Sequence, residues 1–483
     1  MTDSLSDLLV ERAASQPDAV AFVHEGQRLT YRELSDDAGA LASGLFELGV
    51  HPGDRVAMLL PAGLDWVRAF WAIQRAGAVS CAFNPYVPPE TAIRRAALVR
   101  PKLTLDSLAQ IPREVGVRPH VEVDPESLAF LQPTSGTSGE SRAVMIRHRN
   151  VLSVMRSYSE AFTVTPRDVL VSWVPPWHDL GLVRFMIGTV FNGASCHIIT
   201  PSIQTIPRWL QTITEAGGTI TGAPDFAYRM AARLVDPATV DLSSVRWMAN
   251  GGEPVRRSTI EMFESRFGRR GIVCPGYGLA EATLGVTFAP PGREIRVDDR
   301  GNVGCGTPLR GVEVKIEHDE ILVRSNGVFA GYFDAEEATA EVLRDGWLHT
   351  GDFGHAGADG ELYILGRKRA MLKRGGAVLA PRELEEAAQS IEGVRLAAAV
   401  GLRRVSTEEI VVAIEIDPRA NEAAIVDAVS REVQRTIGFA PERVVVVKIP
   451  RTYNGKIRHA ALCEQLSASS LLPSARGEGA EGG

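Results

Sequence analysis

Several things are scarce in this 483-residue chain, and each scarcity argues against a class of function. The five cysteines (Cys81, Cys196, Cys274, Cys305, Cys463) are scattered, with no C-x-x-C pair and no histidine at metal-ligand spacing. That pattern speaks against a disulfide scaffold or a zinc module and fits buried thiols in a reducing compartment. Basic charge is short as well: 52 Lys and Arg stand against 59 Asp and Glu, a net charge of -7, so nothing marks nucleic acid as a partner. No long apolar run is free of costly groups. The most apolar window, 181–200, contains Arg184, Asn192 and His197, and reads as a buried helix and strand instead of a membrane span. The first residues, MTDSLSDLLVERAA, carry acids and no apolar core of signal-peptide length, so a cytoplasmic protein is expected. A G-x-x-x-x-G-K-[ST] phosphate loop is missing, and so is any internal repeat.

What is present is the composition of an ordinary globular protein, 45% hydrophobic and 23% charged, on a chain long enough for more than one core. Apolar periodicity predicts a helix over SLSDLLVERAA, a hairpin around Glu25-Gly26 and a helix over RELSDDAGALASGLFELG. Strand 55–60, helix LDWVRAFWAIQRAG and strand AVSCAF follow, an order that argues for parallel pairing. The alternation continues through a strand end at 128–131, a helix over 149–161, strands at 169–173, CHIIT, TITGA and 245–249, and a helix over 257–267. Beyond Phe288, short strands with Gly and Asp turns (VEVKIEHDEILVRS, ELYIL) predict a β-rich subdomain. The clearest boundary falls at Gly366-Arg367. We therefore expect an α/β fold: a large domain over 1–366 with parallel-type sheets flanked by helices plus the β-rich part, a small α+β domain over 367–465, and a small, polar tail over 466–483 expected to be disordered.

The chemistry concentrates at strand ends. Thr134, Ser135, Gly136, Thr137, Ser138 and Gly139 place two glycines and four hydroxyls in six positions, followed by the fixed charge of Arg142. Such a loop can turn amides and hydroxyls toward phosphate oxygens, or it can be a flexible Ser/Gly turn. In Gly276-Tyr277-Gly278-Leu279-Ala280-Glu281 the aromatic can lie on a flat ring and Glu281 can hold a divalent cation, or the acid can simply sit in a first helical turn. The Asp352 carboxylate in HTGD and the Arg367 guanidinium can bind ribose hydroxyls, although each alone would pass for a turn or a solvated linker; Lys456, in Asn-Gly-Lys, sits on a turn near the C-terminus.

As an ordered set these segments resemble the acyl-adenylate-forming superfamily, which includes acyl-CoA synthetases, fatty acyl-AMP ligases, luciferases and peptide-synthetase adenylation domains. TSGTSGESRAV, PPWHDLGLV, NGGEPV, GYGLAEAT, HTGD, Gly366-Arg367 and NGKIR follow the family order across residues 5–465. The resemblance implies an enzyme that uses ATP and Mg²⁺, with a mobile C-terminal domain that turns between two half-reactions. Residues 134–139 with Arg142 would bind the β- and γ-phosphates, and Gly252, Glu253, Pro254, Tyr277 and Gly278 would surround the nucleotide, with Tyr277 against adenine. Glu281 would hold Mg²⁺, Asp352 and Arg367 the ribose, and Lys456 would bridge the substrate carboxylate and the α-phosphate. Arg369 matches the hinge, and Lys373 with Gly375-Gly376 the loop that faces the site in the thioester-forming orientation. His178, Pro224, Asp225, Phe226, Gly251 and Tyr277 would line the acyl pocket.

The chain departs from the family at Arg142-Ala143, where Lys-Gly is usual, and at Asp225, where fatty acyl-AMP ligases tend to show Asn. Asp225 then either meets a polar group of the substrate or is a satisfied structural carboxylate. PPWHDLGL, NGGEPV and YGLAEAT look most like the AMP ligases, which load a carrier protein's phosphopantetheine. Those ligases carry an extra segment after YGLAEAT, yet here only about 20 residues separate Leu284 from Gly304. CoA is therefore the expected acceptor, with an acyl-carrier protein as the alternative. A reading of another class, a non-catalytic nucleotide or acyl-binding regulator, fits less well with Glu281, Asp352, Arg367 and Lys456 all in place, and a phosphate-loop ATPase lacks its motif.

Overall fold

The computed structural model describes residues 3–113, 121–134, 142–374, 377–403, 408–451 and 457–469. The chain divides into two compact units, with the division between Ile364 and Leu365.

The larger unit is built on three sheets. In the first, strands Leu103–Leu105, Arg55–Met58, Val79–Ala82 and Leu128–Thr134 run parallel, and Arg142–Arg147 folds back antiparallel on the last of them. The second has nine strands, and its centre is parallel: Val273–Tyr277, Trp247–Asn250, Ile220–Ala223, Val169–Ser172, Ser195–Ile198 and Val20–His24 lie side by side. Helices between these strands supply the crossovers that parallel pairing requires, such as the ten-residue Asp225–Leu234 and the eleven-residue Arg257–Phe267. The third sheet is antiparallel and β-rich, formed by Val312–Glu317, Glu320–Ser325, Leu343–Arg344, Trp347–Ala356 and a strand beginning at Leu362.

Strand parity sorts the core of the nine-stranded sheet. Trp247, Ala249 and Cys274 join one cluster with Tyr158, while Met248 and Val273 join a second with Phe226, Tyr228 and Phe263. Successive side chains point to opposite faces, so residues one apart on the 247–250 strand serve different walls.

In the smaller unit, Val394–Arg403 pairs antiparallel with Glu408–Ile416, which pairs parallel with Arg443–Val446. Ile410, Val412 and Ile414 pack toward Leu384 and Val429, whereas Val411 and Ala413 pack toward Leu462 and Leu466 on the other face. The α+β expectation for this part is met.

Residues 142–147 form a strand because Ala143, Val144 and Ile146 bury their side chains in the first sheet. Asp225 opens the helix Asp225–Leu234. Two local expectations need correction. The 181–187 stretch is wound as a π-helix, Leu180–Ile187, which periodicity of 3.6 does not anticipate. The last helix, His459–Ser469, enters the region expected to be a disordered tail, held by a buried Leu466. Residues 470–483 lie outside the described set.

Candidate active site

The polar hairpin motif divides into a described and an undescribed part. Thr134 ends one strand and its hydroxyl donates to the Arg142 carbonyl (3.3 Å) across the pair, so the two ends of the loop are fixed. Ser135, Gly136, Thr137, Ser138 and Gly139 lie outside the described residues. The Arg142 guanidinium covers the ring of Tyr332, 5.2 Å from its centre. Tyr332 in turn donates its phenol to Glu281 Oε1 (2.8 Å). Burial, then the Glu281 charge and hydrogen bond, push the Tyr332 phenol far above its ordinary pKa, so it stays a donor. A charge, a ring and a carboxylate that are far apart in the chain thus form one row. Tyr332 was not singled out from sequence, where GYFD carries no motif signal.

A second pair lies at the end of the Val273–Tyr277 strand. The buried Tyr277 hydroxyl donates to Asp352 Oδ2 at 2.7 Å. Asp352 is held by its strand, Trp347–Ala356, and its amide donates to Thr350 Oγ1 (3.1 Å). The fold therefore brings together two of the residues that the resemblance assigns to adenine and ribose. Glu281 follows four positions later in a 3-10 turn, with no donor to its Oε2 among the described residues. Such a half-free carboxylate fits a divalent cation whose other ligands are phosphate and water. Among the described residues no three His, Cys, Asp or Glu cluster as a complete cage.

Beside Tyr277 is a cavity of about 30 Å³, lined by Tyr158, Leu180, Ala249, Gly251, Gly276 and Leu284, with Asp179, Gly252, Gly278 and Phe288. The wall needs glycine: a Cβ on Gly278 would fall 1.7 Å from the Leu284 carbonyl oxygen, and one on Gly276 2.4 Å from the Phe288 ring. The cavity opens where parallel strands end at their carboxyl termini, the usual ligand position in such sheets.

Not every expected pocket residue reaches it. Asp225 is fully buried on the opposite face of the 247–250 strand and accepts from Asn250 Nδ2 (3.2 Å), the Arg256 amide (3.1 Å) and Thr259 Oγ1 (2.9 Å), with the Arg256 guanidinium at 3.7 Å. Its oxygens are committed, so it is a structural carboxylate and not a substrate ligand. Phe226 is likewise outside the cavity, packed against Trp173. Its amide donates to Glu253 Oε1 (2.7 Å), which caps the helix begun by Asp225. Glu253 thus holds a helix end, whereas Gly251 and Gly252 of the same motif line the cavity and Pro254 is exposed. His178 sits at the rim, 2.5 Å from Asp179 Oδ1, and is not among the lining residues. In the smaller unit Arg367 and Arg369 are exposed, and Lys373 lies on the short strand Leu372–Arg374. Lys456, Gly375 and Gly376 lie outside the described residues.

A glycine-walled cleft at the ends of parallel strands, with a buried tyrosine–aspartate pair beside it, defines a nucleotide-dependent α/β enzyme. The chain belongs to the AMP-binding enzyme family, whose model matches residues 9–333. It is thus an adenylate-forming acid ligase that uses ATP. It is 29% identical over 572 aligned positions to FadD21 of Mycobacterium tuberculosis, provisionally named a fatty-acid–CoA ligase, covering 96% of this chain and 98% of the relative. It is 28% identical to JamA of Moorena producens, a medium-chain-fatty-acid–[acyl-carrier-protein] ligase, over 95% of this chain and 94% of that one. Among solved structures, one from a study of fatty acyl-adenylate ligases of E. coli and L. pneumophila superposes with a TM-score of 0.84 at 26% identity, covering 97% and 98% of the two chains. No helix among the described residues is long and apolar enough to cross a membrane.

Proposed function

We propose that the protein activates a carboxylic acid with a largely hydrophobic acyl group and passes it to the thiol of CoA. In the first step a carboxylate oxygen attacks the α-phosphorus of ATP, an acyl-AMP forms and pyrophosphate leaves. In the second, a thiolate attacks the acyl carbonyl and AMP leaves. The observation that carries the reading is the buried Tyr277–Asp352 pair beside the glycine-walled cavity, which supports a nucleoside site next to an acyl site.

In this reading residues 134–139 and Arg142 hold the outer phosphates, and Glu281 holds Mg²⁺, which would neutralise phosphate charge. Tyr277 and Asp352 hold the nucleoside, with Arg367 adding a ribose contact. The reacting groups are both anions, so a cation is needed where they meet, and Lys456 is assigned there. Residues 1–366 would form the adenylating domain and 367–465 a domain that turns about Arg369, bringing Lys373 to the site for thioester formation. A Lys456→Ala variant should lose adenylate formation by roughly two orders of magnitude or more while still binding ATP; an unchanged adenylation rate would remove Lys456 from the mechanism.

CoA as acceptor is supported by the shortness of the segment between Leu284 and Gly304. FadD21 aligns over 572 positions against 483 residues here, so the relative carries segments this chain lacks. In this protein the short segment is tied down locally by Arg293 Nη2, which donates to both Glu361 oxygens (2.8 and 2.7 Å). An acyl-carrier protein is the second reading, favoured by the name of JamA. Carboxylate-dependent exchange of pyrophosphate into ATP tests the first step. Adding CoA, then a phosphopantetheinylated carrier protein, decides the second, and the absence of exchange with every acid would overturn the whole reading.

A further inference from the structure

The cavity beside Tyr277 has an unusual floor. Trp247, Ala249 and Gly251 share one face of their strand, and Cys274 and Gly276 share that face on the next, so side-chain size grows from the mouth inward. On the opposite wall Tyr158 and Phe162 are one helical turn apart, as are Leu180 and Arg184 in the π-helix. Ala249, Tyr158 and Leu180 line the cavity, and the layer beneath them is Trp247, Phe162 and Arg184.

Arg184 is 5% exposed. Its guanidinium carbon lies 4.2 Å from the Trp247 ring centre, 4.5 Å from Tyr158 and 5.4 Å from Phe162. Its Nε and Nη2 are buried with no hydrogen-bond partner, and no carboxylate pairs with it among the described residues. Tyr158 lines the cavity, and its hydroxyl is buried and equally without a hydrogen-bond partner among the described residues. It is wedged against Gly285, where an added Cβ would come within 2.2 Å of it. Aromatic faces attract a cation but do not replace its hydrogen bonds, and a buried donor left unmade is costly. Burial also lowers the guanidinium to about 10, a sign of how little solvates it.

We propose that Arg184 and Tyr158 form the closed end of the acyl pocket and read a hydrogen-bond acceptor at the far end of a short acid, a second carboxylate or a keto oxygen. The inference rests on the acyl-activating reading and replaces its plain hydrophobic acyl group with a short one that ends in an acceptor. An apolar tail running to this depth would meet unpaired donors, whereas an acceptor would satisfy them. The aromatic layer closes the path beyond, which limits chain length. Asp179, paired with His178, also lines the cavity; burial raises the Tyr158 phenol and the Asp179 charge adds to that rise, so the hydroxyl stays protonated as a donor.

Pyrophosphate exchange driven by four acids of matched length separates the outcomes: a methyl-terminated monocarboxylate, the dicarboxylate, the keto acid and the amino acid. The unmodified protein should favour the dicarboxylate or keto acid over the methyl-terminated acid by at least about tenfold in kcat/KM. In Arg184→Met that ratio should fall to about one, while the same variant gains use of longer plain chains. A preference for the plain or the amino acid in the unmodified protein, or an unchanged ratio in the variant, overturns the assignment while leaving adenylation intact. Exchange with none of the four nor with any other acid overturns adenylation itself. The ratio in the unmodified protein needs no variant to fold, and a purely structural arginine would leave it near one.

Discussion

Asp225 and Arg184 lie on opposite faces of the same nine-stranded sheet, and both are charges removed from water. Asp225 is met by an amide, a carboxamide, a hydroxyl and a guanidinium. Among the described residues Arg184 is met at close range only by rings. The first arrangement is complete within the fold and stabilises it; the second is incomplete until something else arrives. Burial of a charge is therefore no guide to its role until its partners have been counted.

The strongest way to break this comparison is to truncate the satisfied charge. Asp225→Ala leaves Arg256, Asn250 and Thr259 facing a gap, and should cost about 3–5 kcal/mol in urea unfolding. A loss under about 1 kcal/mol would mean that the network is not structural. His148 offers a second satisfied group, with its Nδ1 accepting from the Leu5 amide (3.1 Å). Burial lowers this imidazole from 6.5 to about 4. The unfolded chain then binds more protons between those values, so stability should fall as pH drops from 6.5 to 4 and level off below. The contribution is up to about 3 kcal/mol, and His148→Gln should flatten that part of the pH profile. Arg184→Met should go the other way: removing an unpaired buried charge at similar volume should leave stability unchanged or raise it by about 1–2 kcal/mol. A loss as large as that of Asp225→Ala would put Arg184 in the same class as Asp225. The smallest effect is expected at Tyr332→Phe, where one hydrogen bond to Glu281 disappears at about 1 kcal/mol, measurable by the same unfolding curves.

Much of the architecture was legible in the sequence because its signals are local. Apolar periodicity marked the helices at Leu64–Arg75 and Arg257–Phe267 and the strands between them, and the turn-rich segment after Phe288 marked the antiparallel sheet. The site was legible only where chemistry and backbone coincide, as in GYGLAE. Asp225 was misplaced because its partner strand carries both sides: Ala249 and Gly251 border the cavity, while parity turns Asn250, and Asp225 with it, to the other face. Tyr332 reaches Glu281 through a contact spanning 51 positions, for which no spacing rule exists. Arg184 entered the sequence reading only as a reason against a membrane span. Its significance needed three aromatic rings from two other segments, the 148–162 helix and the 247–250 strand.

The π-helix at Leu180–Ile187 carries a consequence for how such a pocket diverges. A π-turn is an α-helix that accommodates one additional residue. Deleting one residue within it would restore ordinary winding while the chain on either side keeps its phase, so the change falls on the side chains of the π segment itself, Arg184 among them. Tyr277 and Asp352 stand on strands of their own, so such a deletion would re-aim one wall of the cavity and leave their pairing in place.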